Sequence, residues 1–319
     1  MTLFRFPMRS LTVIVCAFCT TIAGVRAQQS TIFSFLRSTI SARAAALGGA
    51  TVAMTNDPSM VVMNPGSLVT TDSNQVDVTF IKHVLDINSG YLVYSMRTAP
   101  NEAYAVHASF VSYGSFNRTS TTGELLGSFG AADIALAGSY SREIDTLISW
   151  GATVKLLYGS VETQNTFALA MDGGLLFQIP KSNTNIGLSI LNAGFQLTTF
   201  DGTTDKLPLD VRLGVNHQLK GLPVLVNASI NHLADDVPSF FDRFLNFSVG
   251  GELRAGKYVR LRLGYDNTTR NISNVNVATQ LAGVSAGASV TLNDMHVDYA
   301  MSSVGSSALI HRISLGLSL

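Results

Sequence analysis

From residue 75 to its last residue the chain repeats one pattern, short stretches in which apolar and polar side chains alternate. A period of two puts alternate residues on opposite faces of a strand, so each stretch carries one apolar and one polar face. Val76, Val78 and Phe80 share a face, as do Val106, Ala108 and Phe110. Trp150, Ala152, Val154, Leu156 and Tyr158 do the same, with Thr153 and Lys155 opposite. Further along, Leu213 and Val215 oppose Arg212 and Asn216, Val249 and Leu253 oppose Glu252 and Arg254, and Leu261, Leu263 and Tyr265 oppose Arg260, Arg262 and Asp266. Val297, Tyr299 and Met301 oppose His296 and Asp298, and Ile313, Leu315, Leu317 and Leu319 oppose Arg312, Ser314 and Ser318. Only 13% of the chain is charged while 46% is hydrophobic, yet no apolar run after residue 27 is long enough for a membrane helix. Low charge without helical spans is what a closed barrel in lipid requires: apolar outside, polar inside, every backbone group paired with a neighbouring strand.

Turn chemistry predicts a fourteen-stranded antiparallel transmembrane β-barrel over residues 75–319. Gly, Pro, Asn and Asp mark short connections at 97–103, 143–147, 180–183, 220–222, 256–257 and 293–294. Longer polar segments at 114–130, 193–207, 234–241 and 267–279 alternate with them and are expected on the outer side. An even strand count then places residues 28–74 in the periplasm or inside the lumen.

Residues 1–27 read as an export signal. Arg5 and Arg9 precede an apolar stretch from Leu11 to Gly24, and small residues before Ala27 and Gln28 place cleavage between those two. Cys16 and Cys19 both lie in the segment to be removed, so the mature chain has no thiol for a disulfide, metal site or nucleophile. Removing Arg5, Arg9 and Arg26 from 21 basic residues leaves 18 against 21 acids, a net charge of −3 that disfavours nucleic acid as a partner.

The segment 28–74 breaks the alternation. Ser41 caps a predicted short helix over Ala42–Leu47, and Gly48 and Gly49 end it. Asn56-Asp57-Pro58 and Asn64-Pro65-Gly66 form turn clusters around the apolar stretch Met60 to Met63. Such a segment suits a plug for a narrow lumen or a lid beneath it.

The stretch TIFSFLRSTISARAAALGGATVAMTNDPSMVVMNPGSL, from Thr31 to Leu68, resembles the N-terminal signature of the PorV/PorQ group of outer-membrane barrels. Its motif positions here are Ser41, Arg43, Leu47, Gly48, Gly49, Asp57, Asn64 and Pro65. Phrases at 112–142, 192–219 and 298–319 are similar to the PorQ side of that group, so the resemblance covers nearly all of the mature chain. Gly66 stands where the group commonly has Ala, and Leu319 ends the chain where many such barrels have an aromatic residue. The resemblance implies a fatty-acid-transporter-like barrel with an N-terminal plug in the bacterial outer membrane. It further implies an accessory part in type IX secretion, docking a PorZ-like surface protein beside PorU- and PorV-like components where exported cargo is attached to lipopolysaccharide.

The residues themselves offer little catalytic chemistry. The histidines at 83, 107, 217, 232, 296 and 311 are scattered, no Gly-x-Ser-x-Gly elbow sits between a strand and a helix, and a metal pair from His296 and Asp298 reads more simply as part of a polar lumen. Arg212, Glu252, Arg254, Arg260, Arg262, Asp266 and Asp298 are of mixed sign and predict an internal salt-bridge network supporting the plug, rather than a one-sign selectivity ring. The expected function is thus non-enzymatic and without cofactor: secretion-system docking through the four outer loops, or alternatively transport of hydrophobic small molecules such as fatty acids. A secreted soluble β-sandwich is the third class, disfavoured by strand number and low charge.

Overall fold

The computed structural model describes residues 31–273, 281–305 and 308–319. The expected cleavage site at Ala27 and Gln28 lies outside the described residues. Fourteen antiparallel strands close into one barrel: β1 Gln75–Lys82, β2 Asn88–Ala99, β3 Glu102–Thr119, β4 Leu125–Glu143, β5 Ile148–Val161, β6 Gln164–Ile179, β7 Thr184–Thr198, β8 Asp210–Gln218, β9 Val224–Ile230, β10 Phe247–Ala255, β11 Val259–Asp266, β12 Val284–Leu292, β13 Met295–Ser303 and β14 Leu309–Ser318. Each strand pairs with its neighbours in sequence, and β1 closes the barrel on β14 with Gln75 opposite Ser318 and Lys82 opposite His311. Closure removes the sheet edges that would otherwise present unpaired backbone groups to lipid.

The alternation sets the two faces of the wall. Phe80, Val106, Val154, Leu213, Leu263, Tyr299 and Leu315 are exposed on the outside, whereas Thr153, Lys155, Arg212, Glu252, Arg262, Asp298 and Ser314 are buried inside. Aromatic side chains gather near both rims of the apolar band. Tyr104, Tyr140 and Trp150 form a run with centroids 4.9 and 5.7 Å apart at one rim, and Tyr158 meets Phe167 at 5.1 Å toward the other. This is where amphipathic rings settle at a membrane–water boundary.

One end of the barrel carries only short turns, at 100–101, 144–147, 180–183, 219–223, 256–258 and 293–294. The opposite, long-loop end carries connections at 199–209, 231–246 and 267–283, but also compact ones at 83–87, 120–124, 162–163 and 304–308. Two expected outer loops are therefore corrected. Most of 114–130 is strand: β3 and β4 stay paired past a bulge at Ser112–Ser115, with Phe116 opposite Phe129 and Asn117 opposite Ser128. That hairpin rises beyond the wall with both faces largely exposed, so polar residues stand on both of its faces among Phe116, Leu125, Leu126 and Phe129, and the alternation that marks a strand in lipid is lost. Likewise β7 continues to Thr198, which shortens the 193–207 segment. Of the expected 267–279 loop, Asn267–Ile272 form a helical turn and 274–279 lie outside the described residues.

Residues 31–74 run lengthwise through the lumen. Thr31 bridges Lys206 at the long-loop end, and the segment reaches the short-turn end where β1 begins at Gln75. Helix α1, Ala42–Ala46, is capped by Ser41, whose hydroxyl accepts a hydrogen bond from the Ala44 amide at 3.1 Å. It ends as Gly48 and Gly49 take φ of 66° and 79°, a left-handed backbone that costs little only without a Cβ. Two 3₁₀ turns follow, Pro58–Val62 and Pro65–Thr70, capped by Asp57 and Asn64 with proline at their first positions.

Backbone meets backbone where plug and wall touch. A Cβ on wall residue Gly151, Gly174, Gly187, Gly250 or Gly264 would fall within 2.6 Å of a plug atom at Pro65, Asn64, Val52, Leu47 or Gly48 respectively. Small polar side chains of the wall satisfy plug backbone groups beside them. Ser149 donates to the Gly66 carbonyl at 2.7 Å, Asn216 to Ala53 at 2.7 Å, and the Ala42 amide donates to Ser314 at 3.0 Å. A turn-rich segment buried in a protein interior needs such partners, because an unpaired amide or carbonyl there costs as much as a lost hydrogen bond.

Candidate functional site

An ionic cluster ties the plug to the wall midway along the lumen. Arg43 of α1 donates to Glu252 of β10 through Nε at 3.0 Å and Nη2 at 3.2 Å, and through Nη1 to Asp57 at 3.2 Å. Arg262 of β11 donates to the same Glu252 at 2.7 Å, to Ser289 at 3.1 Å, and to Asp298 of β13. Next to Asp298, His296 Nε2 lies 3.6 Å from it and 3.8 Å from Asp77. Glu252 is thus held by two guanidinium groups, one from the plug and one from the wall.

The other sequence-predicted residues are distributed differently. Arg212 forms a separate buried pair with Asp210 at 2.7 Å and contacts the Met63 sulfur. Asp266 lies at the long-loop end, where it caps the turn Asn267–Ile272 through the Thr268 amide at 2.9 Å. Arg254 and Arg260 face each other across β10 and β11 near the short-turn end. Among the motif residues of the plug, Asn64 bridges plug and wall by donating to Val52 and Leu175 carbonyls at 2.8 and 2.9 Å, while Leu47 is fully buried in a cluster with Met54 and Met60. Pairing by sequence could not find Asp210, nor the buried pair Lys155–Asp172 at 2.7 Å, whose members sit on strands β5 and β6.

The space around the plug differs in character from end to end. At the long-loop end a largely apolar cavity of about 200 Å³ lies between the plug and strands β1 to β3, lined by Phe35, Ile40, Ile81, Ile87, Val111 and Tyr113, with Ser38, His83, Ser89 and Ser109 at its polar side. A separate small pocket of about 30 Å³ shares Phe35, Ser38, Ile40 and Ser109 with it and is lined further by Leu36, Val62, Met63, His107 and Lys155. Adjoining the larger cavity, and sharing Ser38 and His83, is a polar recess of about 290 Å³. Here Arg312 donates to the Thr39 carbonyl at 3.1 Å and Ser302 at 3.2 Å, and Arg37 pairs with Asp235 at 2.6 Å. At the short-turn end a larger chamber, about 480 Å³, is lined by Arg43, Glu252, Arg254, Arg260 and the amides of Gln178, Asn185, Asn216 and Gln218.

The apolar cavity was missed by reading strands for alternation, but it left a signal. Apolar doublets such as Phe80-Ile81, Leu92-Val93, Phe110-Val111 and Leu156-Leu157 place one member on each face, and Ile81, Val93, Val111 and Leu157 are the buried, inward members. Histidine chemistry is dispersed. His83 meets Ser89 at 2.7 Å and His107 meets Ser139 at 3.1 Å, while contacts with carboxylates belong to other histidines, His232 with Asp210 and His296 with Asp298.

No family model and no curated protein matches the chain. Solved structures match it along most of its length. The CymD monoaromatic hydrocarbon channel superposes with a TM-score of 0.62 at 12% identity, covering 88% of this chain and 97% of that one. The toluene transporter TodX of Pseudomonas putida gives 0.61 at 12% identity, covering 90% and 98%. A FadL homologue of Pseudomonas aeruginosa gives 0.55 at 12% identity, covering 88% and 98%. The fold is that of these barrels. The docking role in type IX secretion expected from the sequence resemblance is corrected: the solved structures that match bear the names of a hydrocarbon channel and a toluene transporter, and the 114–130 loop offered for docking is largely a paired hairpin.

Proposed function

We propose that the protein is a non-enzymatic channel of the bacterial outer membrane that admits hydrophobic small molecules, with its long-loop end outside and its short-turn end in the periplasm. The observation that carries this reading is the apolar cavity behind Phe35, Ile81 and Val111 at the end where a ligand would arrive. An engineered cavity of about 150 Å³ lined by Leu, Ile and Phe stays dry and binds benzene. A volume of about 200 Å³ therefore has room for a ring-sized hydrocarbon. Desolvating such a ligand supplies roughly 25 cal/mol for each Å² of apolar surface buried. Hydrocarbon channels with the same architecture support the assignment.

Passage requires the plug to shift, because Val61, Leu68, Val69, Tyr91 and Val93 pack into a closed apolar cluster further down the lumen. The test is uptake of labelled toluene by cells with and without the protein in their outer membrane. Faster uptake that is lost in Val111→Asp supports the reading. Equal uptake in all three strains removes it.

A further inference from the structure

The short-turn chamber has a composition that hydrocarbon passage does not explain. Arg254 of β10 and Arg260 of β11 are directly opposite each other, and both line the chamber. Like charges at opposed strand positions are destabilising, since their Cβ atoms are only about 4.5–5.5 Å apart. Arg43 lines the same space. The one carboxylate lining it, Glu252, is already occupied by Arg43 and Arg262. Neither the Arg254 nor the Arg260 guanidinium has an ion-pair or hydrogen-bond partner among the described residues. Across the chamber the side-chain amides of Gln178 and Asn185, opposed on β6 and β7, are likewise uncommitted among the described residues. Leu253 and Leu261, one residue away, face outward, so the two guanidinium groups point to the lumen and not to lipid phosphates.

We propose that this chamber is an anion site, in which Arg254 and Arg260 together hold an oxyanion carrying two negative charges, a phosphate or a dicarboxylate, with Gln178 and Asn185 donating to its remaining oxygens. Arginine suits this task because its planar fork gives two parallel bonds to a carboxylate or phosphate, and the anion relieves the repulsion between the paired cations. Access is from the short-turn end, since the chamber is ringed by the turns at 180–183, 219–223 and 256–258. The site is independent of the hydrophobic cavity at the other end and stands or falls separately from it.

The experiment is a titration of the full-length, detergent-solubilised barrel with inorganic phosphate, and separately with succinate, followed by calorimetry and by unfolding temperature at ionic strength held constant with chloride. Saturable heat and a saturable rise in unfolding temperature are expected, and the stronger of the two titrants identifies the oxyanion class. Affinity should fall about tenfold or more for each arginine removed in Arg254→Gln and Arg260→Gln. Arg254→Lys should retain part of the binding. With chloride alone, Arg254→Gln should unfold at the same temperature as the parent or higher, because a repulsive pair has been relieved. The proposal is overturned by absence of saturable binding, by an equal response to chloride, or by unchanged binding in the glutamine variants. Failure of both glutamine variants to fold would also overturn it, since the pair would then be structural.

Discussion

The two ends of the lumen share the same alternation, yet the long-loop end holds an apolar cavity beside a polar recess and the short-turn end a cationic chamber. At the long-loop end, Ile81 and Val111 stand at inward positions that strand periodicity reserves for polar groups. At the short-turn end, Arg254 and Arg260 occupy the equivalent inward positions without a direct ion-pair partner among the described residues. Between them the Arg43–Glu252–Arg262 cluster fixes the plug. On the proposed channel reading, a hydrophobic solute is favoured at the apolar cavity and disfavoured in the cationic chamber. The plug is what keeps the two environments apart.

The largest effect on that separation is expected from Glu252→Ala. Removing one partner of a buried ion pair leaves uncompensated charge and typically costs about 3–5 kcal/mol, and here two guanidinium groups lose the same partner. Trypsin should then reach Arg37 and Arg43 in the folded barrel, and conductance in planar bilayers should rise. Unchanged protection of both arginines would show that the cluster does not hold the plug.

Gly264→Val attacks the same boundary by shape, since its Cβ would lie 2.2 Å from the Gly48 amide nitrogen. Overpacking of this kind costs about 1–3 kcal/mol. The expected readout is a lower unfolding temperature together with partial exposure of the plug to trypsin, and a parent-like profile would mean that the wall yields instead. Val111→Ser attacks the apolar side, where Val111 packs in one buried cluster with Phe33 and Phe35 of the plug. It should weaken toluene binding by about fivefold, roughly 1 kcal/mol of lost apolar burial, with a small fall in unfolding temperature; equal affinity would place the ligand elsewhere. The smallest expected effect is that of Ser41→Ala, which removes the cap of α1 at a typical cost of about 1 kcal/mol or less. Hydrogen exchange at the Ala44 amide, the cap's donor, measures it directly.

How much of this was legible in the sequence follows from what each region must satisfy. Lipid on one side and a polar lumen on the other force a period of two, so strands such as β10 and β11 show their faces in Val249, Leu253, Leu261 and Leu263. Helix α1 was legible because its stop signals are local, a serine cap and two glycines. Where the constraint ends, the signal ends too: the β3–β4 hairpin beyond Ser112 is wet on both faces and read as loop. The apolar cavity was hidden for another reason. Phe35 and Ile40 come from the plug, Ile81 and Val111 from two strands, and only closure of the barrel brings them together. The short-turn chamber was half visible, since Arg254 and Arg260 were marked as lumen residues while their lack of partners depends on where Glu252 turns.

The lengthwise course of residues 31–74 bears on how the molecule is made. The plug precedes β1 in the chain, and the closing seam joins β1 to β14, the first and last strands. Contacts between such remote segments form slowly, because loop-closure entropy is lost before they reward it. With Thr31 at one mouth, Gln75 at the other and wall glycines moulded to the backbone between, a barrel closed while empty would have to be threaded by a free end. Assembly is simpler if the seam zips around a plug already lying on the open sheet. The plug then acts as a mandrel that sets the bore before the cylinder is sealed.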